Sequence, residues 1–443
     1  MFDRVFVANR ATVARRVVRA CEALGVETVA AYADIDSASP HLAEATGTAR
    51  LPGYLAADTY LNGTRLIELA REAGCDALHP GYGFLAENAT FAREAAAAGL
   101  RFIGPDPGWI ERLGDKTRSR AAMAEAGFPV HRGSDDLDDL EALIDAARRI
   151  GFPVLVKPAG GGGGIGMIRV DAETELASAF ATARAQALHA FGDDRIYLES
   201  RLARPRHVEF QVVGDGDATV GVLERECSVQ RRHQKVIEEA PAPGFDRTRL
   251  AEIEALAAGA LKGYDSLGTV ETLYADGGFG FLEVNTRLQV EHGVTEEITG
   301  VDLVEAQIRI AAGEKLGDVL PAAPQANGHA VEARIYAEDS RRMLPSTGRL
   351  AVYRPPAMTG VRVETGYAEG QWVTPYFDPL LAKVIGTGTT REQAIGRTLV
   401  GVKAFDIRGV DTNRSLLERT LGSEPFIAGR LHTGLLDDLI RMA

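Results

Sequence analysis

Gly268-Thr269-Val270-Glu271-Thr272-Leu273-Tyr274 and Phe279-Gly280-Phe281-Leu282-Glu283-Val284-Asn285 flank the turn-forming triplet Asp276-Gly277-Gly278. Two runs rich in β-branched and aromatic residues on either side of Asp-Gly predict a β-hairpin. With Gly277 as its midpoint, Glu271 falls directly opposite Glu283. Cross-strand partners hold their Cβ atoms about 5 Å apart, so two carboxylates there repel each other, and a bridging cation removes that cost. Alternation puts Glu283, Asn285 and Arg287 on one side of their strand. An all-oxygen set of Glu271, Glu283 and Asn285 suits magnesium or manganese held against nucleotide phosphates. A solvated strand face carrying charges by chance is the plainer reading of an isolated glutamate pair; the register and the neighbouring Arg287 favour the metal.

Downstream, Arg287-Leu288-Gln289-Val290-Glu291-His292 adds polar groups beside the expected metal, among them a carboxylate able to act as a general base. His292 alone reads as structural. Upstream, Lys157-Pro158-Ala159-Gly160-Gly161-Gly162-Gly163-Gly164-Ile165-Gly166-Met167 places a lysine at a strand end, followed by bare backbone N–H groups that can close over phosphate oxygens. A glycine run usually means a flexible linker. This one is short and lies between two apolar strands, which favours a hairpin lid. It is not a Walker loop, because no Gly-Lys-Ser/Thr follows.

Farther out, Arg4 to Ala8 reads as a buried strand, Thr12 to Leu24 as a helix and Glu27 to Tyr32 as a second strand. A helix near Thr64 to Ala73 and strands at Ala77 to His79 and Arg101 to Ile103 continue the alternation, predicting an open parallel α/β domain. No glycine fingerprint follows its first strand, so a dinucleotide site is not indicated. Helices are also expected from Lys116 to about Gly127, Asp246 to Tyr264, Val301 to Ala312 and Arg391 to Phe405. The remainder beyond Gly328 is mostly strand.

The 443 residues, 45% hydrophobic and 25% charged, have a globular balance and suggest about three domains. A formal charge of -13 argues against wrapping nucleic acid, which needs a basic footprint. The local basic cluster Gln230-Arg231-Arg232-His233-Gln234-Lys235 therefore looks like a site for a small anion. The start of the chain lacks a secretory apolar run, and no apolar stretch approaches the roughly 18 residues of a membrane span. Cys21, Cys75 and Cys227 are dispersed and form neither a disulfide framework nor a zinc motif. A cytoplasmic location is expected.

Taken together with His79-Pro80-Gly81-Tyr82-Gly83-Phe84-Leu85-Ala86-Glu87-Asn88, Gly114-Asp115-Lys116, Pro205-Arg206-His207-Val208-Glu209, Glu226 to Lys235 and Val331-Glu332-Ala333-Arg334, these segments resemble the biotin carboxylase family of ATP-grasp enzymes. The resemblance runs from Val5 to about Asn413. It implies an α/β chain, α+β overall. Residues 1–113 would form the open parallel domain, 114–312 the ATP-grasp region with a lid at about 130–205, and 313–443 a strand-rich C-terminal domain.

By that resemblance Lys116 and Lys157 look like the ATP-phosphate lysines and Gly163 and Gly164 part of the lid. Glu199, Ser200, Arg201 and Leu202 look like the strand receiving adenine, His207, Gln230 and His233 like ribose or phosphate contacts, and Leu273 like an adenine-packing residue. Glu271, Glu283 and Asn285 correspond to the ligands of magnesium or manganese. Lys235, Arg287, Gln289 and Val290 resemble a bicarbonate pocket, Glu291 its base, and Arg334 the cation that stabilises the biotin enolate. The implied function is ATP-dependent carboxylation of carrier-bound biotin through carboxyphosphate, the first half-reaction of an acyl-CoA carboxylase, with acetyl-CoA carboxylase and fatty acid biosynthesis as the foremost setting.

The sequence holds no Met-Lys-Met carrier motif, so the expected partners are a biotin carboxyl carrier protein and a carboxyltransferase, and a homodimer is among the assemblies the family allows. Some positions depart from the family pattern. Ala11-Thr12-Val13 stands for the usual Gly-Glu-Ile, Ile165 for a basic residue, Ser200 for a lysine and Gly293 for a proline; Ala23 and Thr359 replace larger dimer-contact side chains. Two other readings share the ATP residues. An ATP-grasp ligase for a different carboxylate has no need of Lys235, Glu291 and Arg334 together; a degenerate ATP-binding regulatory paralogue is supported only by the substitutions at Ala11 to Val13 and Ile165.

Overall fold

The computed structural model describes residues 1–160, 166–320, 324–340 and 343–442. Val5, Phe6 and Val7 have no exposed surface, the mark of a strand covered on both faces. Arg4–Val7 is the centre of a five-stranded, all-parallel sheet ordered Gly47–Leu51, Glu27–Ala33, Arg4–Val7, Ala77–His79, Arg101–Phe102. Helix Ala11–Ala23 packs Val13, Val17 and Cys21 with Val5 and Val7, while Leu66 and Ala70 of helix Gly63–Glu72 cluster with Phe6.

A three-stranded antiparallel sheet follows, ordered Ile168–Val170, Val154–Pro158, Ile196–Ser200. Its alternation is clean. Val154, Val156, Ile196 and Leu198 pack on helices Leu140–Ile150 and Leu176–Phe191, leaving Leu155, Lys157 and Glu199 for the opposite face.

The largest sheet has eight antiparallel strands: Gly278–Asn285, Leu267–Ala275, Arg206–Gly214, Thr219–Arg231, Gln234–Ala240, His329–Tyr336, Leu380–Gly388 and Val361–Thr365. One face is apolar. Val208, Phe210 and Val212 cluster with Leu250, Ile253 and Ala257 of helix Arg247–Ala260, and Val331, Ala333 and Ile335 with Ala394, Ile395 and Val402 of helix Arg391–Ala404. The intervening residues, including His207, Glu209, Gln211, Glu332 and Arg334, are buried as well. Charges are kept out of water only when paired, so this second face is organised around charge.

Bulges help set which side chains reach that face, two of them beside the charged residues of the hairpin and beside Lys235. In the hairpin, Ala275 pairs with Gly278 around a two-residue turn whose Asp276 and Gly277 both have positive φ, +50° and +79°. A turn of that length alone would put Leu282 opposite Glu271. Leu282 is extra, however, so Glu271 pairs with Glu283 after all. The expected pairing is present, produced by a bulge rather than by a turn centred on Gly277. In the same way Gln230 pairs with Lys235 and Val229 with Ile237, leaving Val236 extra and turning Lys235 to the face of Glu238.

Candidate active site

The polar sheet face, the three-stranded sheet and helix Lys116–Glu125 enclose a cavity of about 610 Å³. It is lined by Lys116, Lys157, Glu199, Ser200, Arg201, Leu202, His207, Gln230, His233, Lys235, Glu271, Leu273, Glu283, Asn285, Arg287, Gln289, Val290, Glu291 and Arg334. Every described residue expected at the site from the sequence is therefore in one place. Gly163 and Gly164, expected in the lid, lie outside the described residues, as does Ile165.

At one end, Asp115 caps helix Lys116–Glu125 by accepting the Arg118 N–H at 3.0 Å, and the Lys116 ammonium meets Glu283. Lys157 Nζ lies 2.6 Å from Glu199 Oε2 on the next strand, both buried. Burial alone would raise the Glu199 carboxyl; Lys157 holds it below its ordinary range. Strand Ile196–Ser200 ends before Arg201 and Leu202, whose backbone leaves the sheet beside the cavity.

The other end is an ionic hub. Lys235 Nζ contacts Glu209, Glu271 at 2.7 Å and Glu291 at 2.6 Å. Glu271 also accepts from Asn285 Nδ2 at 2.9 Å and Gln289 Nε2 at 3.2 Å, and His207 Nε2 lies 2.9 Å from it. Arg287 donates to Glu87 at 2.9 Å, Asn285 Oδ1 at 3.0 Å and Gln289 Oε1 at 3.1 Å. Arg334 Nη2 reaches Glu291 Oε2 at 2.8 Å. Against the effect of burial, Lys235 and Arg334 keep Glu291 well below the usual carboxylate range, and the surrounding glutamates keep Lys235 well above the usual lysine range. The hub is thus charged at neutral pH. An anion lodged between Lys235 and Arg287 would have an ionised carboxylate, Glu291, at its side.

The basic cluster is used more selectively than its composition suggests. Arg231 turns away to an ion pair with buried Glu338, so it is not part of an anion site. Gln230 bonds His207 Nδ1 at 2.6 Å and the Cys227 carbonyl at 2.8 Å. Arg232 and His233 form the tip of a tight hairpin with φ of +48° and +66°, strained values for non-glycine residues that place His233 against the cavity.

Sequence reasoning missed the groups beneath this layer. Arg225, without exposed surface, pairs with Glu209 and donates to Gln211 Oε1 and Thr295 Oγ1 at 2.9 Å each. Glu238, Glu332 and Lys383 stand behind Arg334. His-Val-Glu-Phe-Gln-Val at 207–212 carried a signal, since strict alternation with charge on a buried strand marks a polar interior face. A second cavity of about 340 Å³ shares Gln234, Arg287, Val290 and Arg334 with the first and is otherwise walled by residues such as Tyr82, Phe84, Tyr336, Phe377 and Asp378.

Comparison with known proteins places this scaffold. Three family profiles cover most of the chain: biotin carboxylase, N-terminal domain, at residues 1–110; carbamoyl-phosphate synthase L chain, ATP binding domain, at 115–319; and biotin carboxylase C-terminal domain at 332–438. The middle profile marks the class, a nucleotide-binding ligase scaffold. The chain belongs to the biotin carboxylase family: it is 44% identical to a biotin carboxylase of Halalkalibacterium halodurans over 100% of its length and 99% of the relative's. It is 42% identical to a pyruvate carboxylase subunit of Methanothermobacter thermautotrophicus, covering 100% of this chain and 91% of that one. Among solved structures, the biotin carboxylase domain dimer of Hydrogenobacter thermophilus 2-oxoglutarate carboxylase, in complex with MgADP, ADP and bicarbonate, matches with a TM-score of 0.95 and 42% identity over 99% of both chains.

Proposed function

We propose that this protein uses ATP and bicarbonate to carboxylate biotin presented by a carrier protein, as the first half-reaction of a biotin-dependent carboxylase. The observation that carries this reading is the convergence of Lys235, Arg287, Glu291 and Arg334 in the first cavity, with Arg287 and Arg334 also lining the second. An ATP ligase acting on another carboxylate needs the first cavity; it has no use for a base clamped between Lys235 and an arginine that also lines a second.

In this reading Lys116, Lys157 and the Gly163–Gly164 segment hold the ATP phosphates. Glu199, Ser200, Arg201, Leu202 and Leu273 receive adenine, and His207, Gln230 and His233 attend the ribose and phosphates. The facing carboxylates of Glu271 and Glu283 and the amide oxygen of Asn285, which here accepts from Arg287, would supply hard-oxygen donors suited to magnesium or manganese, an ion that when bound neutralises phosphate charge. Lys235, Arg287, Gln289 and the Val290 backbone fix bicarbonate, and Glu291 accepts its proton as its oxygen attacks the γ-phosphorus and the bond to ADP breaks. Carboxyphosphate then divides into carbon dioxide and phosphate. The phosphate takes the ureido proton of biotin, Arg334 stabilises the resulting enolate, and the ureido nitrogen bonds to carbon dioxide.

The second cavity, with its aromatic walls, offers the approach for a carried biotin. In this reading the partners are a carrier protein and a carboxyltransferase, in the cytoplasm. An acyl-CoA, foremost acetyl-CoA, is the final acceptor we favour, although relatives of similar identity bear the names of other carboxylases. The test is phosphate release from magnesium ATP by the purified protein. We expect dependence on bicarbonate and stimulation by free biotin. ATP binding with no such turnover, even with biotinylated carrier supplied, would overturn the assignment.

A further inference from the structure

Glu238 and Glu332 are cross-strand partners in the eight-stranded sheet. Their side chains leave the same face with Cβ atoms about 5 Å apart. Neither has exposed surface. Arg334 Nη2 lies 2.7 Å from Glu238 Oε1, and Arg334 Nε lies 3.7 Å from Glu332 Oε1. No donor among the described residues is aligned to hydrogen-bond any of the four carboxylate oxygens.

The surrounding charges are committed elsewhere. Lys383 Nζ is 3.7 Å from Glu332 Oε2, but it sits 2.6 Å from Glu364 Oε2 and donates to the Val290 carbonyl at 2.6 Å. Arg334 is divided between the pair and Glu291. Buried His292, on the helix beside Glu364, contacts Glu364 and Glu296 rather than the pair. Arg334 is therefore shared among Glu238, Glu332 and Glu291; Lys235 supports Glu291 at 2.6 Å, and Lys383 stands 3.7 Å from Glu332. Two carboxylates this close in a low dielectric do not both ionise while a proton is available.

We infer that Glu238 and Glu332 share a single proton and act as positioning residues for Arg334, holding its guanidinium toward the second cavity. The inference rests on the reading of Arg334 as the cation that meets biotin. It assigns the back of that arginine, where Glu238 and Glu332 line neither cavity. With one proton present, the pair and Glu291 together present two negative charges to Arg334; without it, a third draws the guanidinium back into the sheet. Burial pushes the Glu332 carboxyl up to about 7, which puts loss of the proton in the working range.

The experiment has two arms. Infrared difference spectra of the full chain across neutral pH should show a protonated carboxyl band that is absent from both Glu238→Gln and Glu332→Gln. A band that persists in both variants overturns the shared proton. In steady-state assays the wild-type KM for free biotin should rise with pH above neutrality. Glu332→Gln, which mimics the protonated acid, should keep the neutral-pH KM within about twofold and lose that pH dependence, whereas Glu332→Leu should raise the KM about fivefold or more with little change in the KM for bicarbonate. A Glu332→Gln profile that overlays wild type, or equal changes in both KM values, overturns the positioning role. Absence of bicarbonate-dependent turnover in the wild type would strike the functional reading instead, and the infrared band would still decide the shared proton.

Discussion

Glu271 and Glu283 face each other across their hairpin because Leu282 is an extra residue in the second strand. The same bulge lets Phe281, two positions from Glu283, lie in the apolar core. Glu271 is satisfied by Lys235, Asn285 and Gln289, and Glu283 by Lys116, so each carboxylate has its own cationic support.

If the pair holds the metal, Glu271→Gln removes a charged ligand and keeps the side-chain shape. We expect the apparent magnesium affinity, read from the magnesium dependence of phosphate release, to fall by about 100-fold. An unchanged magnesium dependence would sink the assignment of this hairpin.

How much of this was legible depended on whether a signal was local. The parallel sheet was readable because Val5–Val7 is a continuous apolar run, and the hairpin because Asp276-Gly277 can take positive φ at both positions. That the described site residues line one cavity was legible through family motifs. The bulges at Leu282 and Val236 were not, since an extra residue leaves no mark in composition and is fixed by what packs on each face. Nor was the fate of Arg231, because its partner Glu338 lies 107 positions away and only the fold brings them together. Glu238 and Glu332 looked like ordinary strand charges until register made them opposite.

Lys235→Met tests the hub. It leaves Glu209, Glu271 and Glu291 without their common cation, and breaking a buried charge arrangement by removing one partner costs about 3–5 kcal/mol. Its kinetic effect has a definite sign. Lys235 lowers the Glu291 pKa, so the substitution raises it, and a base must be ionised to take a proton. The acid limb of the kcat/KM profile should therefore move to higher pH. A lower but unshifted profile would show that Glu291 is not the base.

Ala11 carries a different kind of cost. It opens helix Ala11–Ala23 with φ of +52°, where the family pattern has glycine, and its backbone abuts Gly366 so closely that a Cβ there would fall 2.0 Å from the Ala11 carbonyl carbon. Left-handed backbone costs a non-glycine residue about 1–2 kcal/mol, partly offset by the greater unfolded-state freedom of glycine. Ala11→Gly should stabilise the protein by about 1 kcal/mol and raise its calorimetric transition, whereas Gly366→Ala should lower it severely. A fall in the transition for Ala11→Gly would mean that Ala11 packing outweighs its strain.

The buried histidine His79 predicts how the fold responds to acid. Its Nδ1 accepts the Gly81 N–H at 2.9 Å, it has no exposed surface, and burial lowers its pKa to about 3. In the unfolded chain a histidine titrates near 6.5, so between about 6.5 and 3 the unfolded state binds a proton that the folded state refuses. The stability His79 contributes is present above about 6.5 and is lost as pH falls through that window, by about 2 kcal/mol at pH 5. Glu332, with its raised pKa, has the opposite sign, so the observable is a difference between variants. His79→Asn keeps an acceptor for Gly81 and cannot titrate. Its transition temperature should be lower than wild type at pH 7.5 and should fall less steeply toward pH 5. Parallel lines for the two proteins would show that His79 takes up its proton without cost to the fold.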